Sequence, residues 1–153
     1  MTNESNSKIV EILLVEDNAK DLELTLYALK KNNLANNIEI ARDGEEALDF
    51  IYCRNKYSNR ISSNRPKVIL LDLKLPKVDG LEVLKILKKD EKTKVIPIVV
   101  LTSSREEKDL IESYELGVNS YMVKPIDFNQ LAETVSKIGY YWVLQNTVPS
   151  TKT

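Results

Sequence analysis

Apolar residues fall into five runs of strand length along this chain, and stretches with helical spacing separate them. The first run is Ile9-Val10-Glu11-Ile12-Leu13-Leu14-Val15. The third and fourth are Val68-Ile69-Leu70-Leu71 and Ile96-Pro97-Ile98-Val99-Val100-Leu101. Unbroken runs of this kind suit central strands covered on both faces. The second run, Ile38-Glu39-Ile40-Ala41, alternates as a strand nearer an edge would, and the fifth, Ser120-Tyr121-Met122-Val123, is short. Pro97 has no N–H to give a neighbour and belongs at the start of its strand. Between the runs, Leu22, Leu26 and Leu29 mark a first helix, and Leu110 and Tyr114 a fourth. Phe128, Leu131, Val135, Ile138 and Trp142 recur at helical spacing and form one stripe facing a sheet. Asp43-x-x-Glu46, Asp79-x-x-Glu82 and Asp127-x-x-Gln130 read as capping boxes, as do Ser103-x-x-Glu106 and Ser104-x-x-Glu107 ahead of the fourth helix.

Strand and helix alternating five times predict an α/β chain: a five-stranded parallel sheet with helices on both faces. In such sheets ligands bind beyond the carboxyl ends of the strands, where the strand order reverses. The residues just after each apolar run are therefore the ones to inspect. The alternation places one domain over residues 8–145, after an extended or disordered 1–7 and before a short polar tail, 146–153. Tyr52 to Pro66 interrupts it as a polar loop carrying Arg54, Lys56, Arg60 and Arg65 and no acid, read as solvated.

Composition narrows the chemistry. With 153 residues, the chain is long enough to bury a core without disulfides or a structural metal. Twenty-two basic against 23 acidic residues give a net charge of −1, which removes the global electrostatic case for nucleic acid or anionic membrane. No His and a single cysteine, Cys53, exclude zinc fingers and His-based triads or dyads within the chain. Cys53 reads as a packing residue. A polar start and no apolar stretch near the length of a membrane span predict an intracellular, cytoplasmic protein.

Glu16-Asp17 follow the first run, Asp72 the third, Thr102-Ser103-Ser104 the fourth and Lys124-Pro125 the fifth. Gathered on one rim, these make three carboxylates, a hydroxyl and an ammonium. Hard oxygens so clustered suit Mg²⁺, which keeps room for water and phosphate oxygens. Each residue also has a plainer reading. Glu16-Asp17 could open a helix, although Asn18 caps one equally well. Asp72 could be a solvent-facing strand end, Thr102 a helix cap and Lys124 a surface lysine.

These elements, with the loop Lys74-Leu75-Pro76-Lys77-Val78-Asp79-Gly80, make the sequence resemble the receiver domain of two-component response regulators over about Lys8 to Leu144. The resemblance implies a flavodoxin-like fold and a signalling protein that catalyses only its own phosphorylation and dephosphorylation. Asp72 would accept a phosphoryl group from a sensor histidine kinase. Asp17, Asp72 and the backbone carbonyl of Lys74 would bind Mg²⁺, with Glu16 acting mainly through water. Lys124, ahead of a cis peptide to Pro125, and Thr102 would hold phosphoryl oxygens, and Thr102 and Tyr121 would form the switch. Lys74 and Ser104, each two residues beyond a site residue, would flank the path of water, with Lys74 slowing hydrolysis.

The chain then ends soon after its fifth helix, which implies action through a downstream protein target or onward phosphotransfer. The 52–66 loop and the ending Gly139-Tyr140-Tyr141-Trp142-Val143-Leu144 look more like the small response regulators of phytochrome-type kinases. Tyr140, Tyr141 and Leu144 exceed what one buried stripe needs and suggest a homodimer through the side made by the fourth helix, fifth strand and fifth helix. Other readings stay open: an unphosphorylated docking module, and a Mg²⁺-dependent phosphohydrolase, disfavoured because Lys74 stands where the haloacid-dehalogenase-like pattern has an aspartate. A flavodoxin-type electron carrier is disfavoured because Glu16-Asp17 would repel its phosphate.

Overall fold

The structure, a computed structural model, describes residues 10–34, 37–61 and 64–138. Residues 1–7, the Gly139–Leu144 ending with Trp142, and the 146–153 tail lie outside the described residues. The elements in chain order are β1 (Ile12–Val15), α1 (Ala19–Lys31), β2 (Ile38–Ala41), α2 (Gly44–Ile51), a 3₁₀ turn (Asn55–Tyr57), β3 (Val68–Leu71), α3 (Gly80–Lys89), β4 (Ile98–Thr102), α4 (Glu107–Leu116) and β5 (Ser120–Val123). Residues 128–138 form α5.

All strand pairs are parallel, in the order β2-β1-β3-β4-β5. The alternating run, β2, is an edge, while the unbroken runs are interior. Side chains along each strand point to opposite faces. Leu13, Val15, Ile69, Leu71, Ile98 and Val100 meet Phe50 of α2 and Leu84 and Leu87 of α3 on one face. Ile12, Leu14, Val68, Leu70, Val99 and Leu101 meet Leu22 and Leu29 of α1 and Leu131 and Val135 of α5 on the other. The order reverses between β1 and β3, where Val15 stands beside Leu71. Glu16 and Asp72 therefore leave the sheet side by side.

Local signals hold in part. Asn18 Oδ1 accepts the Asp21 N–H at 2.9 Å, Asp43 Oδ1 the Glu46 N–H at 2.7 Å, and Asp127 Oδ1 the Gln130 N–H at 3.2 Å. Asp79 stands at the start of α3 but makes no side-chain cap, and α4 starts after Glu106, also uncapped, instead of after Ser103 or Ser104. The face of α4 differs too. Asp109 and Ser113 are buried, whereas Leu110, Ile111 and Tyr114 are 37%, 49% and 50% exposed. The spacing of Leu110 and Tyr114 is helical, but the helix is turned by about one residue from the orientation they suggest.

Arg54, Lys56 and Arg65 of the loop after α2 are exposed, in keeping with a solvated loop, while Arg60 is half-buried, and three of the four have partners within the fold. Arg60 lies over the Phe50 ring at 3.7 Å and donates to the Phe50 carbonyl, Lys56 pairs with Glu46 at 2.8 Å, and Arg54 with Asp49 at 3.7 Å. Arg60 also donates to Cys53 Sγ at 3.4 Å. Tyr57 anchors the loop, donating to Glu39 and Glu46 at 3.0 Å, and its phenol is pushed up by burial and by those carboxylates. No helix among the described residues is long and apolar enough to cross a membrane.

Gly80 fixes the turn below the strand ends. Its N–H donates to the Leu73 carbonyl at 2.8 Å, and a Cβ there would lie 2.1 Å from the Asp72 carbonyl oxygen and 2.5 Å from the Leu73 Cα. Backbone cannot retreat as a side-chain tip can. Gly80→Ala is expected to cost about 1–3 kcal/mol in urea unfolding, the usual scale for overpacking.

Candidate functional site

The site lies at the carboxyl ends of β1, β3, β4 and β5. Glu16, Asp17 and Asp72 each offer a carboxylate oxygen, all within 4.8 Å of one another; Glu16 and Asp72 are buried and Asp17 is exposed. Lys124 follows the end of β5, just ahead of a cis peptide to Pro125, and its Nζ reaches across the sheet. It donates to Glu16 Oε1 at 2.8 Å, Asp21 Oδ2 at 2.8 Å and Asp72 Oδ2 at 3.0 Å. The other Asp72 oxygen, Oδ1, accepts the Lys74 N–H at 3.1 Å.

Charge explains why these groups lie together. Burial raises the Glu16 carboxyl, the Lys124 hydrogen bond opposes that and the neighbouring Asp72 charge adds to it, leaving Glu16 at about 6. Burial alone would lower the Lys124 ammonium, but its bonds to Asp21, Glu16 and Asp72 reverse that and raise it above its ordinary value. Four carboxylates, Glu16, Asp17, Asp21 and Asp72, face one ammonium. An uncompensated excess of negative charge remains, and Asp17 is its solvent-facing part. Clustered hard oxygens with an open side fit a divalent cation that retains water.

Thr102 is fully buried at the end of β4, and its Oγ1 accepts the Ser104 N–H at 3.2 Å. The Tyr121 hydroxyl, half-buried on β5, donates to the Ser104 carbonyl at 3.2 Å. Both residues expected to switch thus meet at Ser104. Its own hydroxyl donates to Asp109 Oδ2 at 2.6 Å, and the Lys74 Nζ lies 3.9 Å from that same oxygen.

Two participants escape sequence reasoning. Asp21 looks like an ordinary first-turn acid favoured by the helix dipole, and only the fold turns it toward Lys124. Asp109 looks like a solvent-face residue because Leu110 and Tyr114 claim the apolar face. A signal did exist for Asp21: Asn18 already caps α1, so a further acid was not required for capping.

The sequence profile of the response regulator receiver domain matches residues 12–136. Response regulator Rcp1 of Synechocystis sp. is 43% identical over 150 residues, 98% of this chain and 99% of Rcp1. A crystal structure of Rcp1 in its Mn²⁺-bound form superposes with a TM-score of 0.73, covering 87% of this chain and 94% of that one. The bacteriophytochrome response regulator AtBRR is 56% identical, with a TM-score of 0.75 over 86% of this chain and 94% of its own. The phosphorylated cyanobacterial phytochrome response regulator RcpA is 40% identical, with a TM-score of 0.73 over 89% of this chain and 95% of its own.

A cation that binds only the folded site stabilises it by mass action. Mn²⁺ or Mg²⁺ at about a hundred times its dissociation constant is expected to add about 2.7 kcal/mol. Differential scanning calorimetry should show this as a raised melting temperature. Asp17→Asn, a change at an exposed side chain, should remove most of the rise while leaving the cation-free melting temperature near wild type.

Proposed function

We propose that this chain, which belongs to the response regulator receiver domain family, accepts a phosphoryl group on the Asp72 carboxylate from a histidine kinase. The chain is a signalling protein of that family, and the proposal concerns how its residues act. The observation that carries it is the pairing of Asp72 with Lys124 at the point where the strand order reverses.

In the transfer, an Asp72 oxygen attacks phosphorus as the bond to the kinase imidazole nitrogen breaks. The electron pair of that bond leaves with the imidazole. A carboxylate approaching an anionic phosphoryl group meets repulsion, and Mg²⁺ held by Asp17, Asp72 and the Lys74 carbonyl, with Glu16 through water, would supply the neutralising charge. The Mn²⁺-bound form of Rcp1 supports a divalent ion here. Lys124 already contacts Asp72 Oδ2 and is placed to follow a phosphoryl oxygen bound to it. Thr102 would offer its hydroxyl to another oxygen. Doing so would loosen its hold on the Ser104 N–H and, through Ser104, the bond from Tyr121.

The named relatives AtBRR and RcpA are phytochrome response regulators, which supports a phytochrome-type kinase as the phosphoryl donor and a cytoplasmic site of action. The chain would catalyse no reaction beyond its own phosphorylation and dephosphorylation. Residues 8–145 would form the receiver unit. A downstream protein, or a second copy of this chain, would read the changed face of α4, β5 and α5. Exposed Leu110, Ile111 and Tyr114 on α4 support an apolar contact there.

Intact-mass spectrometry after incubation with acetyl phosphate tests the central claim. One phosphoryl group is expected on the wild type, only with Mg²⁺, and none on Asp72→Asn. Uptake of equal extent by Asp72→Asn would move the acceptor elsewhere. For the homodimer, light scattering should give twice the monomer mass for the wild type, with Ile111→Glu reducing it to the monomer; monomers in both phosphorylation states would remove the dimer.

A further inference from the structure

We propose that Asp109 is a positioning residue that sets the lifetime of the phosphorylated state. It holds the Lys74 side chain and the Ser104 hydroxyl at the mouth of the Asp72 site. The inference rests on Asp72 being the phosphoacceptor.

Asp109 is a carboxylate on the inward face of a helix whose Leu110, Ile111 and Tyr114 face solvent. Burying a carboxylate is unfavourable unless partners compensate it. Its side-chain partners lie beside the site: the Ser104 hydroxyl at 2.6 Å and the Lys74 ammonium at 3.9 Å, on one oxygen. Lys74 starts at the acceptor, where its backbone N–H binds Asp72 Oδ1, and ends at α4. Its side chain therefore runs from the β3 end of the site to α4. More than half of that side chain is solvent-exposed, so without Asp109 it would spread over many rotamers. Ser104 is tied on the opposite side, through its N–H to Thr102.

Loss of the phosphoryl group requires a water oxygen to attack phosphorus roughly in line with the departing Asp72 oxygen. The new P–O bond forms as the bond to Asp72 breaks. The carboxylate is restored, inorganic phosphate leaves, and the water proton passes to phosphate or solvent. A lysine fixed across the mouth restricts that approach; a free lysine restricts it only part of the time.

The test follows decay of the phosphorylated chain by intact mass after acetyl phosphate is removed. Asp109→Asn keeps an acceptor for the Ser104 hydroxyl but removes the charge that holds Lys74. It and Lys74→Ala are each expected to shorten the lifetime about three- to tenfold. The double variant should decay no faster than the faster single one, because both changes release the same side chain. Asp109→Glu keeps the charge and should stay within about twofold of wild type. Multiplying effects in the double variant would mark two independent, merely structural losses and overturn the role of Asp109. So would a lifetime in Asp109→Asn equal to wild type, or a loss in Asp109→Glu as large as in Asn. Uptake by Asp72→Asn equal to that of wild type overturns the phosphoacceptor assignment itself, whereas uptake by wild type alone with unchanged lifetimes in the variants overturns only the role of Asp109.

Discussion

The Lys124 ammonium, shared by Glu16, Asp21 and Asp72, is the contact on which the carboxyl end of the sheet depends. It ties the ends of β1, β3 and β5 and the first turn of α1 through a single nitrogen. Two of its carboxylates are buried, and without the ammonium they would face one another in a poorly solvated rim. Removing one partner of such a group leaves charge uncompensated, which is costlier than losing a surface ion pair. The same arrangement leaves a surplus of negative charge with Asp17 open to solvent. The site is thus stable enough to form and still electrostatically incomplete.

A second set of contacts runs from this centre to the surface. The Asp72 carboxylate accepts from the Lys74 N–H, the Lys74 side chain reaches Asp109, Asp109 accepts from Ser104, and Ser104 engages Thr102 and Tyr121. These are hydrogen bonds and one ion pair between short connections, so each can be exchanged without disturbing the hydrophobic layers beneath. Under the proposed switch, that separation would let a rigid sheet carry a rearranging corner. The polar inner side of α4 suits the same purpose. A helix whose buried side chains are Asp109 and Ser113 gains little from burial beyond Leu116 and keeps Leu110, Ile111 and Tyr114 outward.

The loop between α2 and β3 obeys a different constraint. Arg54, Lys56 and Arg60 meet nearby acids, an aromatic face and a backbone carbonyl, which anchors a polar segment that has little apolar surface to bury. Tyr57 joins it to the edge strand β2 through Glu39. Arg60 is the half-buried member of this set, while Arg54, Lys56 and Arg65 stay exposed to solvent.

Much of the architecture was determined by the sequence itself. Unbroken runs at Val68–Leu71 and Ile98–Leu101 require cover on both faces, the alternation at Ile38–Ala41 belongs to an edge, and residues that follow parallel strands must share one rim. Hence Glu16, Asp17, Asp72, Thr102 and Lys124 were legible as a group before any coordinates. What only the tertiary structure decided is where long-range partners converge. Helical spacing gave the period of α4 but not its rotation, because Leu110–Tyr114 and Asp109–Ser113 repeat equally well and contacts from Ser104 and Lys74 select between them. Asp21 joined Lys124, and Asp109 joined Lys74 and Ser104, for the same reason. A charged side chain on a helix is neutral to local propensity, and its function depends on which strand end the packed helix brings within reach.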